Sequence, residues 1–210
     1  MKTKEKSKKI FNLRQLTILG LMSALVFIFS YTPIGSIPIG PLVITLNIIP
    51  IAIAAVACGV PGGAIIGGLF GLMSFFQCLG FGVPSAMGAI LFDINPVLAF
   101  IQRFVPRVLD GIIAGYAFKI TKGISRNNTV SCAVTGFCSA FFNTLLFMTA
   151  LILCFGYTDY LKGLIDGRNI FVFVVTFVGV NALVEMAAST LVTTAVGTAL
   201  FKARLIPEKK

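Results

Sequence analysis

Six apolar runs, each about as long as a lipid bilayer is thick, constrain this chain more than any other feature. A membrane-spanning helix needs ~20 mostly apolar residues. We place such runs at 14–32, 42–58, 62–80, 97–120, 130–156 and 169–201. The chain is 57% hydrophobic and only 11% charged, whereas soluble domains carry roughly 25% charged residues. The sequence therefore predicts an all-α integral membrane protein, a six-transmembrane-helix bundle.

The breaks between these runs contain residues that end helices. Proline and glycine punctuate the loop 33–41, and Gly59, Pro61 and Gly62 predict a tight turn after the second run. Longer loops are expected at 80–96, 122–129 and 157–168. The first run lacks a cleavage site for a signal peptidase, so we interpret it as a retained helix.

The net charge of +10 is concentrated beside the apolar runs. Lys and Arg gather in an N-terminal segment at 1–13, in a tail at 202–210 and around the loop 121–129. Because cytoplasmic loops carry the excess of basic residues, both termini are predicted to be cytoplasmic, flanking a membrane domain at 14–201 in the plasma membrane. This placement indicates contact with anionic lipid and argues against nucleic acid as a partner.

Several kinds of chemistry have no support in the sequence. It contains no histidine, and its five cysteines form no CxxC pair, so we expect no metal site and no haem. It has no GxxxxGK[ST] phosphate loop and no HExxH or GxSxG motif. We therefore predict that the chain is not an enzyme, hydrolyses no ATP by itself and needs no cofactor.

Charged residues inside the fourth apolar run are the strongest functional signal. Arg103 and Arg107 are four residues apart and share one helical face, which Asp110 extends. A charge at mid-bilayer costs at least ~2.5–3.5 kcal/mol, so these side chains must face protein or water. Two guanidinium groups beside an outward cavity would suit a carboxylate ligand. An internal Arg107–Asp110 ion pair, with Arg103 reaching toward the interface, is the open alternative.

Amides add further polarity within the apolar layer. The candidate ligand-binding set comprises Arg103, Arg107, Asn47, Gln77, Asn95, Asn143 and Asn181. Each amide could instead hold helices together. Glu185 is the only acid of the sixth run, at a depth similar to that of Asp110, and either a structural polar cluster or a proton path would explain the two acids.

Small residues recur at four-residue spacing on three helices. Gly63, Gly67 and Gly71 do so on the third run, Gly111 and Gly115 on the fourth, and Gly20 and Ala24 on the first. Such faces allow helices to approach closely. Packing within the chain explains the glycines of the third and fourth runs, whereas a partner protein is a real alternative for Gly20 and Ala24.

Several segments in order resemble the S components of energy-coupling factor (ECF) transporters. They are Leu-Asn-Ile-Ile-Pro at 46–50, Gly-Val-Pro-Gly-Gly at 59–63, the glycine-rich segment 67–74, Asn-Pro at 95–96, Pro-Arg at 106–107, Ala-Gly at 114–115, Phe-Asn-Thr at 142–144 and Asn-Ala-Leu-Val-Glu at 181–185.

The resemblance implies a six-helix protein with cytoplasmic termini that captures a vitamin from outside. It would work with a transmembrane T subunit and two ATPase subunits, and would topple in the membrane to release the vitamin inside. Gly20 and Ala24 would replace the Ala-xxx-Ala docking face of the family. The loop 31–41, with Tyr31, Ile34 and Ile37, would form a lid.

Within that resemblance the pantothenate or folate type is the nearest. Pantothenate, with one carboxylate, hydroxyls and an amide, is the first expectation for an Arg-rich site. Folate stays open, because several phenylalanines could stack its rings. Two other classes remain: a proton-coupled secondary transporter that uses Asp110 and Glu185, and a structural membrane protein whose polar residues only pack.

Overall fold

A computed structural model describes residues 11–39 and 42–206. Most of the predicted N-terminal segment 1–13, residues 40 and 41 of the predicted lid loop and the last four residues of the tail lie outside the described residues. The elements of the described part follow in the order α1 (Leu13–Tyr31), β1 (Ser36–Ile39), β2 (Leu42–Thr45), α2 (Ile48–Cys78), α3 (Ala86–Ile94), α4 (Pro96–Ser125), α5 (Asn128–Phe155), α6 (Asp159–Ile165) and α7 (Ile170–Lys202).

Among the residues that the structure describes, four helical stretches are long and apolar enough to cross a membrane. They are α1, α2, α5 and the Asn181–Lys202 part of α7. Helix α4 is also long, at 30 residues, but it carries Arg103, Arg107 and Asp110 within its apolar length. The chain is thus a mostly helical protein with several candidate membrane spans, as the apolar runs predicted.

Helix α2 contains a break at Gly59, where the sequence predicted a turn. Gly59 has φ 70° and ψ −161°, a conformation that is essentially restricted to glycine. The chain reverses there: a Cβ on Gly63 would lie 3.1 Å from the Cβ of Ala55, whereas residues eight apart in a straight helix are ~12 Å apart along the axis. The segments 48–58 and 60–78 correspond to the second and third predicted helices.

A β-hairpin precedes α2, and this corrects both the all-α class and the predicted start of the second helix at 42. Strands β1 and β2 pair antiparallel, with Ser36 opposite Thr45 and Ile37 opposite Ile44. The proline-containing segment 36–41 disfavours a helix, and the β-branched run 43–45 favours a strand. Mean hydropathy over a window shows only that these residues are apolar, so it does not distinguish this hairpin from the start of a helix.

Two short helices lie in segments predicted as loops. The hydroxyl of Ser85 caps α3 by accepting a hydrogen bond from the Gly88 N–H at 3.1 Å. The hydroxyl of Thr158 likewise accepts from the Leu161 N–H at the start of α6, at 3.3 Å. Such N-caps stabilise the first turn of a helix, which explains how nine- and seven-residue helices form between the long ones.

The second half of α2 packs directly on α4 through glycines. Gly63 faces the backbone of Gly111, and Gly67 faces the backbone carbonyl of Arg107. These contacts leave no room for a side chain, as the four-residue glycine spacing predicted. Helix α5 packs beside α4, α7 beside α5, and α1 against α2. The result is a bundle in which α2, α4, α5 and α7 surround a common space.

Candidate functional site

A cavity opens among α2, α4, α5 and α7, with the end of β2 and the start of α3 at its rim. Its volume is about 670 Å³ when the open mouth is included. Fifteen residues line it: Thr45, Phe70, Ser74, Gln77, Ser85, Met87, Arg103, Arg107, Asn143, Thr144, Phe147, Val178, Asn181, Ala182 and Glu185.

Arg103 lies on the α4 wall and is only 6% exposed. Its Nη2 donates to the Ser85 hydroxyl at 3.1 Å, and its Nη1 lies 3.5 Å from the Ser74 hydroxyl. Its Nε has no hydrogen-bond partner among the described residues. The guanidinium is therefore held by neutral hydroxyls, and its positive charge remains available to an anion in the cavity.

Arg107 lies one turn further along α4 and is 5% exposed. Its guanidinium carbon is 4.5 Å from the ring centroid of Phe147 and 5.3 Å from that of Phe70. Within residues 11–39 and 42–206, its Nε and Nη1 have no hydrogen-bond partner. Asp110 does not pair with it in the described part of the chain; Oδ2 of Asp110 instead accepts from the Ser139 hydroxyl at 3.1 Å.

The α7 wall carries the only carboxylate among the lining residues. Oε1 of Glu185 accepts a hydrogen bond from the Thr45 N–H at 2.8 Å, which ties β2 to α7. Asn181 lies one turn before Glu185 and faces the same cavity. The site thus combines two cations on one helix with an acid and an amide on another.

The α2 and α5 walls contribute further polar groups. Gln77 lines the cavity while its Nε2 donates to the backbone carbonyl of Ser30 at 3.0 Å. Asn143 lines it from α5, and its Oδ1 is buried with no hydrogen-bond partner in the part of the chain that the structure describes. Buried polar atoms rarely stay unpaired, so these groups suit a ligand that has both donors and acceptors.

The sequence matches the family described as "ECF transporter, substrate-specific component" over residues 14–197. The chain belongs to this family. This family consists of transporter components and is not an enzyme family. Membership of this family implies, in general, a vitamin ligand and partners of two kinds, a T subunit and ATPase subunits.

Two relatives of this S component are named after a substrate. One is named pantothenate transporter PanT, from Leuconostoc mesenteroides, and is 29% identical over 86% of this chain and 85% of its own length. The other is named pantothenic acid transporter PanT, from Lactococcus lactis, and is 29% identical over 76% of this chain and 79% of its own.

A solved structure shares the fold of this S component. It is the S component for biotin of an ECF-type ABC transporter, with a TM-score of 0.55 at 16% identity, and the match covers 86% of this chain and 89% of that one. At this identity the likeness concerns the fold alone.

The structure brings five of the seven predicted ligand residues to the cavity and places two elsewhere. Arg103, Arg107, Gln77, Asn143 and Asn181 line it. Nδ2 of Asn47 donates instead to the Ser30 hydroxyl at 3.2 Å. Oδ1 of Asn95 accepts from the N–H groups of residues 97 and 98 and so caps α4.

The residues expected in the lid and at the docking face are exposed. Tyr31, Ile34 and Ile37 lie at the end of α1 and in the hairpin segment, and none of them lines the cavity. Gly20 and Ala24 lie on the exposed side of α1, and open space surrounds the Cα of Gly20.

Several lining residues were not among the predicted ligand residues. Phe70, Ser74 and Gln77 recur at helical spacing, as do Asn181 and Glu185, so the pattern of one face would have found Ser74 and Glu185. Thr45 and Ser85 come from a hairpin and a helix cap, whose place in the bundle no periodicity reveals. In the described part of the chain, no three His, Cys, Asp or Glu side chains cluster as a metal site would require.

The six phenylalanines that the folate hypothesis would use for stacking do not line the cavity. They contact one another on the α2, α3 and α4 surface, with centroid distances of 5.1–6.4 Å. They are Phe75, Phe76, Phe81, Phe92, Phe100 and Phe104. The aromatic rings that line the cavity are Phe70 and Phe147, and both contact Arg107.

Proposed function

We propose that this S component captures pantothenate in the Arg103–Arg107 cavity and delivers it inward with an ATP-driven module. The observation that carries the proposal is the pair of buried guanidinium groups with unpartnered nitrogens on one cavity wall. The names of two relatives at 29% identity agree with it.

The chemistry of pantothenate complements the walls of the cavity. Its carboxylate would accept hydrogen bonds from the unpartnered nitrogens of Arg103 and Arg107, since guanidinium–carboxylate hydrogen bonds are short and strong. Its hydroxyls and amide would meet Asn143, Asn181 and Gln77. Its dimethyl group would lie against apolar lining such as Val178 or Met87.

Other vitamins fit these walls less well. Folate needs aromatic stacking for its ring system, and the six clustered phenylalanines lie outside the lining. Folate also carries two carboxylates. Thiamine is a cation, and a wall with two guanidinium groups would repel it.

The proposed topology has six crossings with both termini in the cytoplasm. The crossings are α1, the two halves of α2, α4, α5 and α7. The segment 48–58 spans only about 16 Å at ~1.5 Å per residue, so the hairpin 36–45 completes the path to the outer face. The excess of basic residues near the termini supports this orientation in the plasma membrane, and it places the cavity mouth outward.

We assign docking and closure to two further regions. The exposed small residues Gly20 and Ala24 would contact the T subunit of a module with two ATPases. The hairpin segment with Tyr31, Ile34 and Ile37 would act as the lid, because Thr45 at its end reaches the cavity and bonds to Glu185.

Calorimetry on the purified chain tests the assignment of the ligand. Titration with pantothenate, folate, biotin and thiamine should give binding for pantothenate. Pantothenol, in which an alcohol replaces the carboxylate, should bind at least about tenfold more weakly, because the arginines lose a charge-assisted partner.

Two results would contradict the proposal. Equal affinity for pantothenol and pantothenate would show that the arginines do not bind the carboxylate. Uptake into vesicles by this chain alone, driven by a proton gradient without ATPase subunits, would instead support a secondary transporter.

A further inference from the structure

We propose that Glu185 determines the class of ligand that this cavity accepts. Its carboxylate holds the hydrogen-bond-donor end of a monocarboxylate ligand and excludes a second carboxylate. The inference rests on the proposed function, because it takes the Arg103–Arg107 cavity as the ligand site.

Glu185 faces the arginines across the cavity. Helices α2 and α5 each pack against both α4 and α7, which puts α4 and α7 on opposite walls. A ligand whose carboxylate contacts Arg103 and Arg107 therefore points its far end at α7. Glu185 and Asn181 are the polar residues that α7 presents there.

The carboxylate of Glu185 has capacity left for a ligand. It is 6% exposed, and Oε1 accepts the Thr45 N–H at 2.8 Å. A carboxylate offers about four lone-pair sites, so one backbone hydrogen bond leaves acceptor capacity free. The hydroxyl or N–H groups of a ligand would use it. A group without donors would leave a buried charge unsatisfied.

The charges of the lining select a single anion. With both guanidinium groups and the one carboxylate ionised, the described lining has a formal net charge of +1. One ligand carboxylate neutralises this charge. A second carboxylate near α7 would lie beside Glu185 in a poorly hydrated space, where like charges repel strongly.

Three ligands of equal backbone length test this on the purified S component. Pantothenate has a carboxylate, an amide and two hydroxyls. The amide of β-alanine with 3,3-dimethylbutanoic acid lacks both hydroxyls. N-succinyl-β-alanine has a second carboxylate at the far end. Dissociation constants are measured by calorimetry for the wild type and for Glu185→Gln, which keeps an oxygen for the Thr45 N–H.

Glu185→Gln should change the three affinities differently. We expect pantothenate to bind about tenfold more weakly, the hydroxyl-free amide to change less than threefold, and N-succinyl-β-alanine to bind at least tenfold more tightly than to the wild type. The inference is overturned if the substitution changes all three affinities by the same factor, as a purely structural role of Glu185 would.

Asp110→Asn is the matched control, because it also removes a buried acid near Arg107 but one that does not line the cavity. It should leave the ratios among the three ligands unchanged. If Glu185→Gln fails to fold, the wild type alone decides: equal binding of N-succinyl-β-alanine and the hydroxyl-free amide overturns the inference. A wild type that binds none of the three defeats the proposed function as well.

Discussion

At the scale of single residues, the arginines of α4 are held in place before any ligand arrives. Arg103 is fixed by two serine hydroxyls and Arg107 by the faces of two phenylalanines. Cation–π contacts in desolvated sites contribute on the order of 2 kcal/mol, which offsets part of the cost of burying Arg107. A carboxylate then gains hydrogen bonds without the entropic cost of ordering these side chains.

Replacement of Arg107 should weaken ligand binding strongly. A hydrogen bond to a charged group contributes roughly 1.5–3 kcal/mol, so Arg107→Gln is expected to raise the Kd for pantothenate about 10- to 100-fold. Arg103→Lys should also weaken binding, because an ammonium cannot keep the fork geometry that engages Ser74, Ser85 and a carboxylate together.

Calorimetry with a surface control checks this prediction. Arg168→Gln removes the same charge from an exposed position, and its Kd should stay within about threefold of the wild type because exposed charges are largely screened at ordinary salt. An unchanged Kd for Arg107→Gln would contradict a direct role for this side chain.

At the scale of elements, the glycines of α2 set the position of the α4 wall. The backbone of Arg107 rests directly on Gly67, and a Cβ on Gly71 would lie 2.9 Å from the Cα of Phe104. Any side chain at these positions would push α4 away. The cavity therefore depends on residues that never touch the ligand.

A pair of adjacent glycines tests this dependence. Gly67→Ala should destabilise the protein by about 1–3 kcal/mol through overpacking and should weaken pantothenate binding by displacing Arg107. Gly68→Ala is the control: its Cβ would meet its nearest neighbour, Val108, at 3.6 Å, an ordinary contact. Because alanine favours a helix by up to ~1 kcal/mol over glycine, this variant should be neutral or stabilised.

Thermal unfolding in detergent gives the measurement for both variants. A lower Tm for Gly67→Ala than for Gly68→Ala supports direct contact between the α2 and α4 backbones. Equal Tm values for the two variants would contradict it.

Seen over the whole bundle, one side of α1 contacts no other element among the described residues. Leu16, Gly20, Ala24 and Phe27 follow one another at helical spacing, and all are exposed. The opposite side of α1 packs on α2. An exposed strip of this kind suits lipid or another membrane protein, and we propose the T subunit as its partner.

A bulky residue on this strip should separate transport from binding. A Cβ on Gly20 would meet no atom of the described residues within 4 Å, so a side chain there has room to point away from the bundle. The pantothenate affinity of Gly20→Trp should therefore stay within about twofold of the wild type. Uptake by the S component together with its T subunit and ATPases should fall at least tenfold, because close helix contact requires a small residue at this position.

Gly123→Trp is the control, since Gly123 on α4 also has open space around it. It should bind and transport as the wild type does. Normal uptake by Gly20→Trp would show that the docking face lies elsewhere on the molecule.

Most of the long helices could be predicted from the sequence. Predicted and observed limits agree to within about two residues at both ends of the first, third, fifth and sixth apolar runs, whereas α4 extends to Ser125, five residues beyond its predicted end. The turn at Gly59 was also predicted. The reason is that a lipid phase imposes length and polarity on every crossing. The β-hairpin was missed because its apolar residues resemble a helix in hydropathy.

The amino-acid sequence alone predicted a membrane protein in which Arg103 and Arg107 share one helical face, with either a ligand or an internal ion pair as the reason for their burial. The packing of the helices showed that Arg107 contacts phenylalanines rather than Asp110, that Asn95 caps a helix, and that Glu185 faces the cavity. Periodicity along one helix fixes which side chains point together. Which helix stands opposite, and how closely, depends on packing contacts such as Gly67 against Arg107, which join residues far apart in the chain.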